Sequence, residues 1–142
     1  GSGPDTLEYV FPAKKEELEK YFGTPNIIVD KAHNEYLQIA ITLGVPALLT
    51  YLFLLFVILK RAFQAEIIAA ENEKILLTGL ISSIVGYLIQ AFFNISVVTV
   101  APLFWSLLGI TLAKSESYLK NAINKSSIGN FEELSKCILY KK

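Results

Sequence analysis

Val-Asp-Lys-Ala-His-Asn-Glu-Tyr-Leu-Gln, residues 29–38, runs straight into an apolar stretch that reaches residue 59 without a charge from residue 37 onward. An uninterrupted apolar run of roughly 20 residues is long enough to cross the hydrocarbon core of a bilayer as a helix. In water such a helix would have to be buried on every side, which a short chain can hardly manage. The only histidine, His33, stands immediately before the run. A titratable imidazole beside an amide side chain at a membrane boundary is the strongest chemical signal in the chain.

Outward from this stretch the pattern repeats. Residues 75–93 form a second apolar block, broken by Ser82, Ser83 and Gly86, small residues that suit close helix packing. Residues 97–113 form a third, shorter block, with Pro102 suited to the first turn of a helix that begins near Ala101. Asn94-Ile95-Ser96 and Pro102 oppose one continuous helix over 75–113. A helical hairpin is therefore preferred to a single helix followed by a re-entrant segment. Pro46 removes one backbone donor inside the first span, so a local kink is expected there. The fold class is thus an all-α membrane protein with about three transmembrane helices, over 37–59, 75–93 and 97–113. Before them lies a polar segment, 1–36, with a short helix near 13–22 closed by Gly23. After them, 114–142 is a polar tail, with a loop expected over 121–130 and a small amphipathic helix over 131–139.

The 142 residues are 53% hydrophobic and 18% charged, with acids and bases in balance, so no global field argues for nucleic acid. One cysteine, Cys137, excludes an intrachain disulfide and a cysteine-built metal cluster. One histidine with scattered carboxylates makes a poor metal-ligand set, and no cofactor is indicated. The chain contains no methionine and opens with neither a basic segment nor an early apolar one, and it reads as a fragment of a longer protein.

Lysine and arginine set the orientation. The tail carries Lys114, Lys120, Lys125, Lys136, Lys141 and Lys142, and the connection over 62–74 has basic residues at both ends (Lys60 and Arg61, then Lys74). The head segment has more acids than bases. The tail and this connection are therefore expected on the cytoplasmic side, with His33 and the 94–96 turn outside. Gln90 and Asn94, four apart, would share a helical face near the depth of His33. An outer polar cluster of His33, Asn34, Gln90 and Asn94 follows; the two latter amides serve either a ligand or hydrogen bonds between helices. Asn34 either caps the helix or binds a hydroxyl. Gly44, about three turns below His33, and Ala47 leave that face shallow, for a lipid chain or a closely packed helix.

Ala32-His33-Asn34-Glu35-Tyr36-Leu37-Gln38, followed by Gly44-Val45-Pro46-Ala47, resembles the O-antigen ligase/polymerase family, integral membrane enzymes that handle lipid-linked glycans. His33, Asn34 and Gly44 match the family's pattern of a histidine, then Asn, Ser or Gln, then nine residues, then glycine. Gly1-Ser2-Gly3-Pro4-Asp5-Thr6 looks like its Gly-x-Gly-Pro outer loop. Phe93-Asn94 and Leu103-Phe104-Trp105-Ser106-Leu107-Leu108-Gly109 are similar to its last spans. Ala47 departs from a commonly found second glycine but keeps a small residue. The resemblance implies transfer or polymerisation of oligosaccharide from an undecaprenyl-diphosphate carrier on the outer side of a bacterial cytoplasmic membrane. The donor would be a lipid-linked oligosaccharide and the acceptor a glycan or lipid. It implies His33 as the base that takes the acceptor proton. It also implies partner helices, and outer-loop arginines for the donor diphosphate, that precede this segment. Arg61, the only arginine, is expected on the other side. The alternative from a different class is a non-catalytic membrane scaffold or transporter subunit.

Overall fold

The computed structural model describes residues 1–4, 6–10, 14–24 and 31–139. Among the described residues the regular structure is entirely helical: α1 (Leu7–Val10), α2 (Lys15–Phe22), α3 (Glu35–Thr42), α4 (Val45–Ile68), α5 (Glu71–Gln90) and α6 (Ala101–Leu139). Two compact units result, one of Gly1–Leu55 with Val85–Pro102, the other of Phe56–Ile84 with Leu103–Lys142. Asp5, Pro25 and Asn26, Ala13 at the start of the expected short helix, and the apolar Ile27-Ile28-Val29 lie outside the described residues, as does the side chain of Cys137.

The short helix forms as α2, and Gly23 closes it in the left-handed conformation (φ 74°), its N–H donating to the Glu19 carbonyl at 3.0 Å. Such a C-terminal position costs glycine least, since it has no Cβ to clash.

The stretch over 37–59 does not form one helix. It divides into α3 and α4 at Leu43 and Gly44. Gly44 has φ +97°, a conformation nearly closed to side chains, and its N–H folds back to the Ile39 carbonyl at 3.2 Å. The kink expected at Pro46 is absent for the same reason. Pro46 is the second residue of a new helix, where its missing N–H leaves no bond unmade. Leu48 and Ala47 donate instead to the Gly44 carbonyl at 3.2 and 3.1 Å.

Two helices, α4 and α5, are long and apolar enough to cross a membrane. Only 17% and 22% of their most apolar windows are buried inside the chain. Leu49, Phe53 and Phe56 of α4 each remain more than 60% exposed. A core helix of a water-soluble domain would hide such a face.

The third span expected over 97–113 is not among them. Residues 97–100 form a turn, and α6 starts at Ala101 with Pro102 as its second residue. From there to Ala113 a helix rises only about 20 Å, short of a hydrocarbon core of about 30 Å. Nor does a loop interrupt the tail over 121–130, where the backbone stays helical as part of the 39-residue α6. No proline follows Pro102, and Gly129 alone costs about 1 kcal/mol, too little to end a helix. Likewise α4 does not stop at Lys60 and Arg61 but continues to Ile68.

In the second unit Ala62, Ala65, Leu77, Ile81, Ile84, Phe104, Leu108, Thr111 and Ser115 are buried. Thr111 and Ser115 can be buried because their hydroxyls bond back to the Leu107 and Thr111 carbonyls, both at 2.7 Å. Polar links then join the helices: Arg61 to Glu116 at 3.5 Å, Thr78 to Glu66 at 2.7 Å, and the Tyr118 hydroxyl to the Glu73 carboxylate.

Candidate functional site

The first unit gathers the polar residues that precede the apolar run. Its organising event is the end of α5. The last carbonyls of any helix lack intrahelical donors. Here residues 34–36 supply donors to its last turn and to the turn just beyond it: the Tyr36 hydroxyl donates to Leu88 O at 2.8 Å, Glu35 N–H to Ala91 O at 2.9 Å, and Asn34 Nδ2 to Phe92 O at 3.0 Å. Glu35 N–H also reaches Asn94 O at 3.1 Å. The Tyr36 ring packs against Phe92 with centroids 4.7 Å apart. The start of α3 is thus clamped onto the end of α5.

Asn34 is the N-cap of α3: its Oδ1 accepts from Leu37 N–H at 3.0 Å. Both ends of its amide are engaged within the protein, and of the two roles expected of it the cap is formed. Gln38 Oε1 accepts from Ala32 N–H at 2.9 Å and closes the turn from the other side. Between them His33 is exposed and holds φ 47°, the only described non-glycine residue with positive φ. For a side-chain-bearing residue that conformation costs about 1–2 kcal/mol. The hydrogen bonds of Ala32 and Asn34 flank it on both sides, and it is the kind of local strain that collects at working sites.

Gln90 and Asn94 do not share a helical face. Gln90 is the last residue of α5, and Asn94 lies in the turn beyond it. Asn94 joins His33's neighbourhood through its backbone carbonyl, which accepts from Glu35, while its Oδ1 accepts from Ile95 N–H at 2.9 Å. Gln90 is exposed.

Gly44 also departs from expectation. His33 and Gly44 are not on one helix, and the space beside Gly44 is filled by backbone. A Cβ there would sit 2.9 Å from Gly1 N, and one on Gly1 would sit 2.1 Å from the Thr42 carbonyl. Ser2 and Gly3 N–H donate to Ile41 O at 2.7 Å and Thr42 O at 3.0 Å, so residues 1–3 cap the end of α3. Thr6 Oγ1 closes this loop onto Gly3 O at 2.8 Å. Close packing, by a loop, explains the small residue at 44. Ala47 is half-buried.

Three residues join the site that patterning did not single out. Glu35 Oε2 accepts from the Tyr87 hydroxyl at 3.0 Å, and that hydroxyl lies 2.9 Å from Ser96 Oγ. Burial pushes the Glu35 carboxyl above the usual carboxylate range, and the Tyr87 hydrogen bond pulls it part of the way back. With Lys31, Gln38, Thr42 and Ile95, Glu35 and Ser96 line a cleft of about 300 Å³. A carboxylate, a hydroxyl and an amide around an aliphatic wall can hydrogen-bond a polyhydroxylated ligand and pack on its C–H face. The signal available in the sequence was adjacency alone: Glu35 follows His33-Asn34 directly. Tyr87 and Ser96 had none, since they meet Glu35 only through the fold. Among the described residues no group of three His, Cys, Asp or Glu side chains is placed to hold a metal ion.

Fold and site together define a chain whose described regular structure is all helical, with two helices long and apolar enough to cross a membrane and a polar, histidine-bearing turn at the end of one of them. No protein-family model matches the chain, and neither a curated protein nor a solved structure shows significant similarity to it.

Proposed function

We propose that this chain is the C-terminal part of a membrane glycosyltransferase of the O-antigen ligase/polymerase type, with His33 as its base. It transfers or polymerises oligosaccharide from an undecaprenyl-diphosphate carrier on the outer side of the cytoplasmic membrane. The observation that carries this reading is a meeting in space. The Gly-Ser-Gly-Pro segment at residues 1–4 and the His33 to Gly44 segment resemble two separate pieces of that family, and residues 1–3 dock on the carbonyls of Ile41 and Thr42 and against Gly44. The sparse burial of α4 and α5 supports a lipid or helical surround. α6 meets α4 and α5 through Glu116 and Tyr118, near the end where those two helices are joined.

In the reaction an acceptor hydroxyl gives its proton to the imidazole of His33. The acceptor oxygen bonds to the anomeric carbon of the donor sugar, and the bond from that carbon to the diphosphate breaks. The undecaprenyl diphosphate leaves with the electron pair, its charge met by cations from the segments that precede this one. Asn34 positions the histidine by fixing the turn, and the Glu35 cleft offers hydrogen bonds to sugar hydroxyls.

The test is His33→Ala in the full-length protein, assayed for glycan transfer to a lipid or glycan acceptor. Losing a general base is expected to lower the rate about 10²–10⁴-fold at unchanged protein level. A near-normal rate would remove His33 from the mechanism.

A further inference from the structure

The second unit carries a cleft that glycan transfer leaves unused. It measures about 450 Å³ and runs between α4 and α6, with Arg61 on one side and Ala113, Glu116, Leu119, Lys120 and Ile123 on the other. Its position along both helices is the informative feature. The apolar run of α4 ends at Lys60 and Arg61, and that of α6 ends at Lys114. The cleft therefore opens where two apolar surfaces give way to polar ones. Arg61–Glu116, Thr78–Glu66 and Tyr118–Glu73 begin near this end of the unit. In a bilayer this is the headgroup zone.

The chemistry of the lining suits one occupant. Arg61 Nε lies 3.5 Å from Glu116 Oε1, and both side chains stay about half exposed. The cleft thus keeps an excess of one positive charge over its single carboxylate, counting Arg61 and Lys120 against Glu116. Ala113 supplies an apolar wall on the membrane side, and Ile110, three residues earlier on the same face of α6 and 51% exposed, continues it. Positive charge beside an apolar strip matches a lipid phosphate above its acyl chain, and basic pockets between helices on the cytoplasmic side bind such headgroups. Guanidinium is suited to phosphate because its planar fork can donate two parallel hydrogen bonds.

We propose that the Arg61–Lys120 cleft binds an anionic phospholipid by its phosphate, with the acyl chain running from Ala113 toward the exposed Ile110 on the membrane side. The site rests on the membrane part of the proposed function and is independent of catalysis. A His33→Ala protein keeps it.

The probe is phosphatidylglycerol, with phosphatidylcholine as the zwitterionic comparison, added to the full chain in an uncharged detergent. Bound lipid is counted by native mass spectrometry. Each basic residue near an anionic group contributes about a five-fold preference, so the net excess of one positive charge over Glu116 gives about five-fold for phosphatidylglycerol. Arg61→Gln with Lys120→Gln is expected to bring the two lipids close to parity. Lys15→Gln with Lys20→Gln, the same charge change on α2, is expected to leave the preference intact. Should the Arg61 variant lose helicity, the exposed Lys120→Gln alone decides, with a loss of about five-fold. Equal binding of the two lipids by the unsubstituted chain would overturn the proposal. So would an equal loss in the α2 control, or displacement of phosphatidylglycerol by inorganic phosphate at matching concentration. A chain soluble without detergent would remove the membrane reading itself, whereas lipid indifference in a detergent-dependent chain removes only this site.

Discussion

Replacing Asn34 tests whether the histidine turn is held as its hydrogen bonds indicate. The side chain does two jobs. Its Oδ1 caps α3 through Leu37 N–H at 3.0 Å, and its Nδ2 ties that cap to Phe92 O at the end of α5, also at 3.0 Å. Loss of an asparagine cap costs about 1 kcal/mol. Loss of a partly exposed neutral hydrogen bond costs about 1 kcal/mol more. Asn34→Ala therefore weakens the clamp by about 2 kcal/mol, which is roughly a 30-fold rise in local opening. Asn34→Ser keeps the cap and loses the tie, for about half that energy and roughly a five-fold rise. Asn34→Asp also keeps the cap but turns a carboxylate toward the Phe92 carbonyl, so it falls between the two. Amide hydrogen exchange at Glu35 and Leu37 reads these openings directly. Equal exchange in Asn34→Ala and the unsubstituted chain would refute the clamp, and a serine variant no better than alanine would refute the division into cap and tie.

Gly44→Ala is expected to destabilise the α3–α4 junction by about 1–3 kcal/mol, from a φ of +97° and a Cβ 2.9 Å from Gly1 N; faster exchange of the Ser2 and Gly3 amides reports it, and unchanged exchange contradicts it. For Glu35 the folded carboxyl holds its proton more tightly than the unfolded one, because burial penalises the charge. Its contribution to stability is therefore fully present below the ordinary carboxylate value and is lost as pH rises through the folded one. Glu35→Gln, whose amide oxygen can still accept from Tyr87, is expected to gain stability over the unsubstituted chain at neutral pH and none below about pH 4. Thermal midpoints at the two pH values check this, and a difference independent of pH contradicts it.

The sequence by itself determined that this is a helical chain with apolar segments of membrane-crossing length, that Gly23 ends a short helix, and that His33 and Asn34 stand at the polar threshold of the first apolar run. These are local properties: hydropathy over a window, the freedom of one glycine, the capping chemistry of one amide. Only the tertiary structure decided where the helices break and what the polar residues do. The first run divides at Gly44 because backbone from residues 1–3 satisfies the end of α3, a contact across 39 positions. Asn34 became a clamp because Phe92 O, 58 residues away, needed a donor. Glu35 acquired its raised carboxyl and its Tyr87 partner across 52 positions. An unpaired backbone carbonyl is invisible in a residue string, and it is the need to satisfy such groups that arranged this site.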